Sequence, residues 1–155
     1  MEIEVTIKIK DDELLELFNR MKQEEMEDEE IYDPVSPHAR FFDECSPMWH
    51  KDTDFEKRYR YNLMFLKQQQ EYANHLLKMR GHLFLNEVYD MLGMPRSTDG
   101  GKVGWIYDLD NPVGDNFVDF GIFTPFNSEF INGVKPTALL DFNVDGYILD
   151  MIQKD

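Results

Sequence analysis

Asp141, Asn143 and Asp145, with Gly146 sixth in the run DFNVDGYILD, have the residue types and spacing of the first half of a calcium loop. Such a loop takes oxygen ligands from positions 1, 3, 5, 7 and 9 and a bidentate glutamate from position 12. Position 12 here is Ile152, which offers no side-chain oxygen. The flanking TALL and YILDMI read as β-rich segments, not as the paired helices of a calcium hand. Asp-Gly between alternating apolar residues is instead the signature of a two-residue hairpin, whose type I′ turn needs positive φ at both central residues. Pairing outward from that turn sets Val144 opposite Tyr147, Phe142 opposite Leu149 and Leu140 opposite Met151, an apolar face throughout. The same register sets Asp141 across from Asp150 on the other face, where like charges repel. Those two carboxylates either lie in solvent or meet a partner's Lys or Arg, or a cation.

Other candidates for chemistry are thinner. Asp119-Phe120-Gly121 spells the magnesium motif of kinases, but no glycine-rich nucleotide loop or HRD accompanies it. Asp108, Asp110, Asp115 and Asp119 could suggest a two-metal centre, yet only Lys102 lies near to assist, so they are read as turn acids. His38, Cys45, His50 and His75 lack zinc-ligand spacing. Cys45 follows Asp43 and Glu44, carboxylates that disfavour a reactive thiolate. Gly100 and Gly101 before Lys102 do not form a phosphate loop. The expectation is a protein with no catalytic residues, no cofactor and no bound metal.

The elements that would carry these residues are legible from periodicity. Ile3, Val5, Ile7 and Ile9 alternate with polar residues as in a half-buried strand. Asp11 or Asp12 can cap a helix bearing Leu14, Leu17, Phe18 and Met21, which runs into the acidic EEMEDEE. Residues 31–54, with three prolines, read as an irregular connection. Thr53 and Glu56 match a capping box for a long helix ending at Gly81, with Phe55, Tyr59, Leu63, Leu66, Ala73, Leu76 and Leu77 on its buried face. LFLNEVYDMLG reads as a second helix, and GWIYD, FVDFGIF, TALLDFNV and YILDMI as strands. The predicted class is α+β: an antiparallel sheet with C-terminal hairpins packed on a long central helix, preceded by a strand and an acidic helix. The predicted organisation is an acidic strand-helix unit over 1–33 and an α+β domain over 34–155.

Charge sets the class of partner. The 155 residues carry 31 acids and 16 bases, a formal net charge of −15. Residues 1–33 hold thirteen acids against four bases, so the acid is concentrated there. A nucleic-acid binder needs the opposite sign, whereas an acidic surface complements basic proteins. A single cysteine excludes an internal disulfide, and no apolar run approaches the ~20 residues of a membrane span.

The strings RGHLFLNEVYDMLG and NPVGDNFVDFG, together with HARFFDECSPMWHKD and ALLDFNVDGYILD, resemble an uncharacterised family of bacteriophage proteins over about residues 38–152. The resemblance implies a phage origin and action in the host bacterial cytoplasm, and it brings no known activity. Several members of that family precede the domain with an apolar, membrane-type segment; the acidic unit here replaces it and argues against membrane attachment. The expected function is therefore that of an acidic phage protein that binds and inhibits a basic host protein, in its most concrete form a CRISPR-type defence nuclease, by presenting carboxylates where phosphates would sit. The expected contact residues are Glu13, Glu16, Glu24, Glu25, Glu27, Asp28, Asp141 and Asp150. The alternatives are a phage structural or assembly component and, more remotely, a metal-dependent hydrolase built on Asp108–Asp119.

Overall fold

A computed structural model describes residues 36–152. The strand-helix unit expected over 1–33 lies outside the described residues. Within them the chain is mixed α+β, with two small antiparallel sheets and four helices. No helix among the described residues is long and apolar enough to cross a membrane.

The long helix α1 (Phe55–Arg80) has 26 residues, about 39 Å of axis. Its N-cap is Asp54, one residue beyond the expected Thr53: the carboxylate accepts the N–H groups of Glu56 and Lys57, at 3.0 and 3.4 Å. Gly81, at φ 85°, ends it and returns its N–H to the Leu77 carbonyl. Leu66, Ala73 and Leu77 are fully buried, with Leu63 and Leu76 packed at the edge of the core. Phe55 is 48% exposed, so the buried stripe starts later than its sequence position suggests.

Strand β1 (Arg40–Asp43) precedes α1, and β2 (His82–Phe84) follows it directly. The expected second helix is shortened accordingly to α2 (Leu85–Met91), because Leu83 is taken into a ladder opposite Trp105 of β3 (Val103–Ile106). After the short helix α3 (Ser128–Ile131) come β4 (Thr137–Leu140), β5 (Gly146–Tyr147) and the terminal helix α4 (Leu149–Ile152). One sheet pairs β1 with β4, Arg40 opposite Leu140; the other has the order β2-β3-β5.

This topology overturns the hairpin expected at Asp145-Gly146. β4 pairs with β1, about a hundred residues away, while β5 joins β3, with Gly146 opposite Gly104 and Tyr147 opposite Val103. Among the described residues the one non-glycine with positive φ is Asn116, so Asp145 does not adopt the type I′ geometry. Asp150 stands in α4, and Asp141 is not across from it. Local turn chemistry loses here to non-local pairing that buries Phe42, Ala138, Leu140 and Phe142 together. Gly146 keeps φ +133° in an otherwise open position. Gly146→Val should therefore cost about 1–3 kcal/mol through backbone strain alone, read as a lower urea midpoint; an unchanged midpoint would contradict this backbone.

The FVDFGIF segment shows a second correction. Val118, Phe120 and Ile122 are buried in alternation, as a strand requires, yet no strand forms there. Its backbone is bonded by side chains of α1: Asn74 accepts the Val118 N–H at 2.7 Å and donates to the Val118 carbonyl at 3.0 Å, and Gln70 accepts the Phe120 N–H at 2.8 Å. The same two-point clamp joins Asn62 to His50, Asn86 to Ser97 and Asn127 to Leu139. Each amide meets both the N–H and the C=O of one residue, which is what a neighbouring strand would supply. These clamps let a chain with little regular sheet bury its irregular segments without orphaned backbone groups.

Candidate functional site

The aspartates singled out between 108 and 119 lie on the loop after β3. One oxygen of Asp108 accepts the N–H groups of Asp110 and Asn111, at 3.1 and 3.0 Å, and Asp119 accepts the Gly121 N–H at 2.8 Å. Both are turn acids of the Asx type. Asn116, at φ 64°, accepts the Asp108 N–H and closes the loop on itself.

The half calcium loop is committed to the same loop. Asn143 uses its whole amide: its oxygen accepts from the Trp105 indole at 2.9 Å and the Asp119 N–H at 2.7 Å, and its nitrogen donates to the Asp115 carboxylate and the Phe117 carbonyl. Asp145 accepts the Ile106 N–H at 2.8 Å, and burial pushes its carboxyl above the usual carboxylate range, with the Asp115 charge adding to the shift. A Cβ on Gly114 would lie 2.0 Å from an Asp145 oxygen, so the loop packs directly on that carboxylate. Asp141 is partly buried, with its backbone against Gly121, and Asp150 is exposed in the first turn of α4. The structure thus does not bring Asp141 and Asp150 together. Among the described residues no group of three or more His, Cys, Asp or Glu is arranged to hold a metal ion. Glu13, Glu16, Glu24, Glu25, Glu27 and Asp28 lie outside the described residues.

A cleft of about 410 Å³ lies elsewhere, in the connection that the sequence presents only as irregular. Its walls are Glu44, Trp49, Lys51, Asp52, Thr53 and Arg58. A turn bonded from Trp49 N–H to Ser46 C=O delivers the indole, and the Asn62 clamp fixes the next residue, His50. Arg58 donates to the Asp52 carbonyl at 3.2 Å, with its guanidinium 5.3 Å from the Phe55 ring. Asp52 accepts the Asp54 N–H, a bond that holds its carboxyl below its usual value, and faces His50 Nε2 at 3.6 Å. The available signal in the sequence was WHKDTD, a tryptophan set directly beside alternating charges.

The outward side of α1 carries a third feature. Tyr61, Met64, Tyr72 and Met79 are exposed at helical spacing, and a groove of about 430 Å³ runs past Leu63, Met64 and Lys67. Tyr and Met are enriched in protein–protein contacts, and exposed apolar stripes of this kind are typical of them.

A protein-family model described as a family of unknown function, DUF6353, matches residues 3–152. No curated protein and no solved structure matches the chain.

Proposed function

The chain belongs to the family of unknown function DUF6353, and we propose that it is a non-enzymatic, acidic phage protein that binds and inhibits a basic host protein. The target is one that itself grips nucleic acid, such as a defence nuclease, and the inhibitor's carboxylates stand in for phosphates. The observation that carries this reading is the charge: −15 overall, with thirteen acids against four bases in residues 1–33. The turn-anchored Asp108 and Asp119 and the exposed Asp110 and Asp115 extend the negative surface into the described domain. Carboxylates fixed in this way lose little freedom when a partner's Lys or Arg arrives. The phage origin rests on the resemblance of residues 38–152. The exposed Tyr-Met stripe on α1 favours, as a second reading, a structural or assembly component.

The test is capture from a bacterial host lysate on the immobilised full chain, at low and high salt, with and without competing duplex DNA. Captured protein should be released by salt, because surface charge is screened over about 8–10 Å, and displaced by DNA. Neutralising Glu13, Glu16, Glu24 and Glu27 to Gln should leave the melting temperature nearly unchanged and slow association, since rim charge acts chiefly on the on-rate. Binding indifferent to salt, to DNA and to the four substitutions would remove phosphate mimicry. Co-sedimentation with virions would support the assembly reading instead.

A further inference from the structure

Trp49 is 6% exposed, and its indole N–H meets no acceptor. It is the one buried side-chain donor so left among the described residues. The contrast with the rest of the domain is sharp. Trp105, the other tryptophan, donates to Asn143, and Asn62, Asn74, Asn127 and Asn143 each use both sides of their amides. A domain that pairs its polar groups so thoroughly leaves a donor unmet only where a partner is to come, since a buried polar group without a hydrogen bond is costly. That donor belongs to a residue in the wall of the 410 Å³ cleft, a volume within the range of small-molecule sites.

The charges around the cleft narrow the ligand. Lys51 and Arg58 are set against Glu44 and Asp52. A simple anion would meet two carboxylates and a simple cation would meet two bases, so a ligand bearing both charges fits best. Asp52 is already engaged by the Asp54 N–H and by His50, which leaves Glu44 as the carboxylate available to an ammonium. Arg58 is held in place by the Asp52 carbonyl and the Phe55 ring, so its guanidinium is prearranged for a carboxylate. We propose that the cleft bounded by Glu44, Trp49, Lys51 and Arg58 binds a free α-amino acid, its carboxylate taken by Arg58, Lys51 and the Trp49 indole N–H and its ammonium by Glu44. The site is separate from the acidic residues of the proposed inhibitor surface, so either can fail without the other.

The two indole N–H resonances in a ¹⁵N–¹H spectrum of the full chain make the test, with Trp105 as internal reference. Glycine, L-leucine and L-glutamate are titrated singly, followed by N-acetyl-L-leucine, which lacks the ammonium, and L-leucinamide, which lacks the carboxylate. The expected result is a saturable downfield shift of Trp49 with at least one amino acid and no shift of Trp105. Removing either charge from the ligand, or making Arg58→Gln or Glu44→Gln, should raise the half-saturating concentration about tenfold or more, the worth of one hydrogen bond to a charged group. Glu44 is exposed, so its variant leaves the core intact if Arg58→Gln disturbs the start of α1. A Trp49 resonance that no amino acid moves, one that N-acetyl-leucine and leucinamide move equally well, or one in lasting dipolar contact with a single buried water would each overturn the proposal.

Discussion

Gly104→Ala is expected to lower stability by about 3 kcal/mol or more, the upper end of what overpacking costs. Gly104 lies in β3, the middle strand of its sheet, between Phe84 and Gly146. A Cβ there would fall 2.0 Å from the Leu83 carbonyl oxygen and 2.9 Å from the Phe84 Cα, with the Ile148 side chain at 3.0 Å. The first two are backbone atoms of the paired strand, so no rotamer change relieves the clash. Relief requires β2 and β3 to separate, and Leu83 and Trp105, both fully buried, face each other across that ladder. Gly101→Ala is the control: its nearest neighbour would be the Asn86 amide at an ordinary 3.5 Å, and its effect should stay within about 0.5 kcal/mol. Urea unfolding of the two variants decides the matter. Equal midpoints would mean that β2 and β3 are not in this register.

Asn143→Asp should cost about 2–4 kcal/mol at neutral pH and recover on acidification. The substituted side chain keeps an oxygen for the Trp105 indole and the Asp119 N–H. It replaces the donor that faces Asp115 and the Phe117 carbonyl with a second negative oxygen, 3.1 Å from the Asp115 carboxylate if the geometry is retained. Two carboxylates so placed cannot both ionise freely, so the introduced group's folded pKa rises above its unfolded value. A carboxyl raised on folding favours the folded state fully below its unfolded pKa, and that contribution is lost as pH rises through the folded pKa. The gap between parent and variant should therefore be narrow in acid and widen toward neutrality. Asp145, raised by burial with Asp115 adding, has the same sign in both proteins and drops out of the difference to first order. Asn143→Ala, which loses all four bonds, should be destabilised with no such pH dependence. A parent–variant gap that is flat with pH would show that Asn143 and Asp115 are not neighbours.

The depth of these two effects explains why the candidate residues read differently in sequence and in space. DFNVDG has the donor types of a calcium loop because oxygen-rich side chains suit a cation and a crowded turn equally well. Asn143 and Asp145 instead spend their oxygens on Trp105, Asp119 and Ile106, two of which are nearly forty residues distant in sequence. Nothing in the local spacing announces those partners. The cleft at Trp49 was hidden for a similar reason: Glu44, Lys51 and Arg58 belong to a turn, a connection and a helix, and only folding sets them around one volume.

What the sequence determined by itself is whatever depends on neighbours a few residues away. The reach of α1 follows from an Asp-capped start and a glycine stop, and the turn roles of Asp108 and Asp119 follow from side chains bonding backbone two or three residues on. The alternating burial of Val118, Phe120 and Ile122 was also legible, because a period of two follows from the extended chain alone. Tertiary structure decided who pairs with whom. An extended segment satisfies its backbone equally well with a strand or with a helix-borne asparagine, and Asn74 rather than a strand took Val118. At Asp145-Gly146 a tight hairpin would have closed at little entropic cost. It was outweighed because pairing β4 with β1 and β5 with β3 buries more apolar surface than the local turn could, and that gain depends on side chains a hundred residues apart.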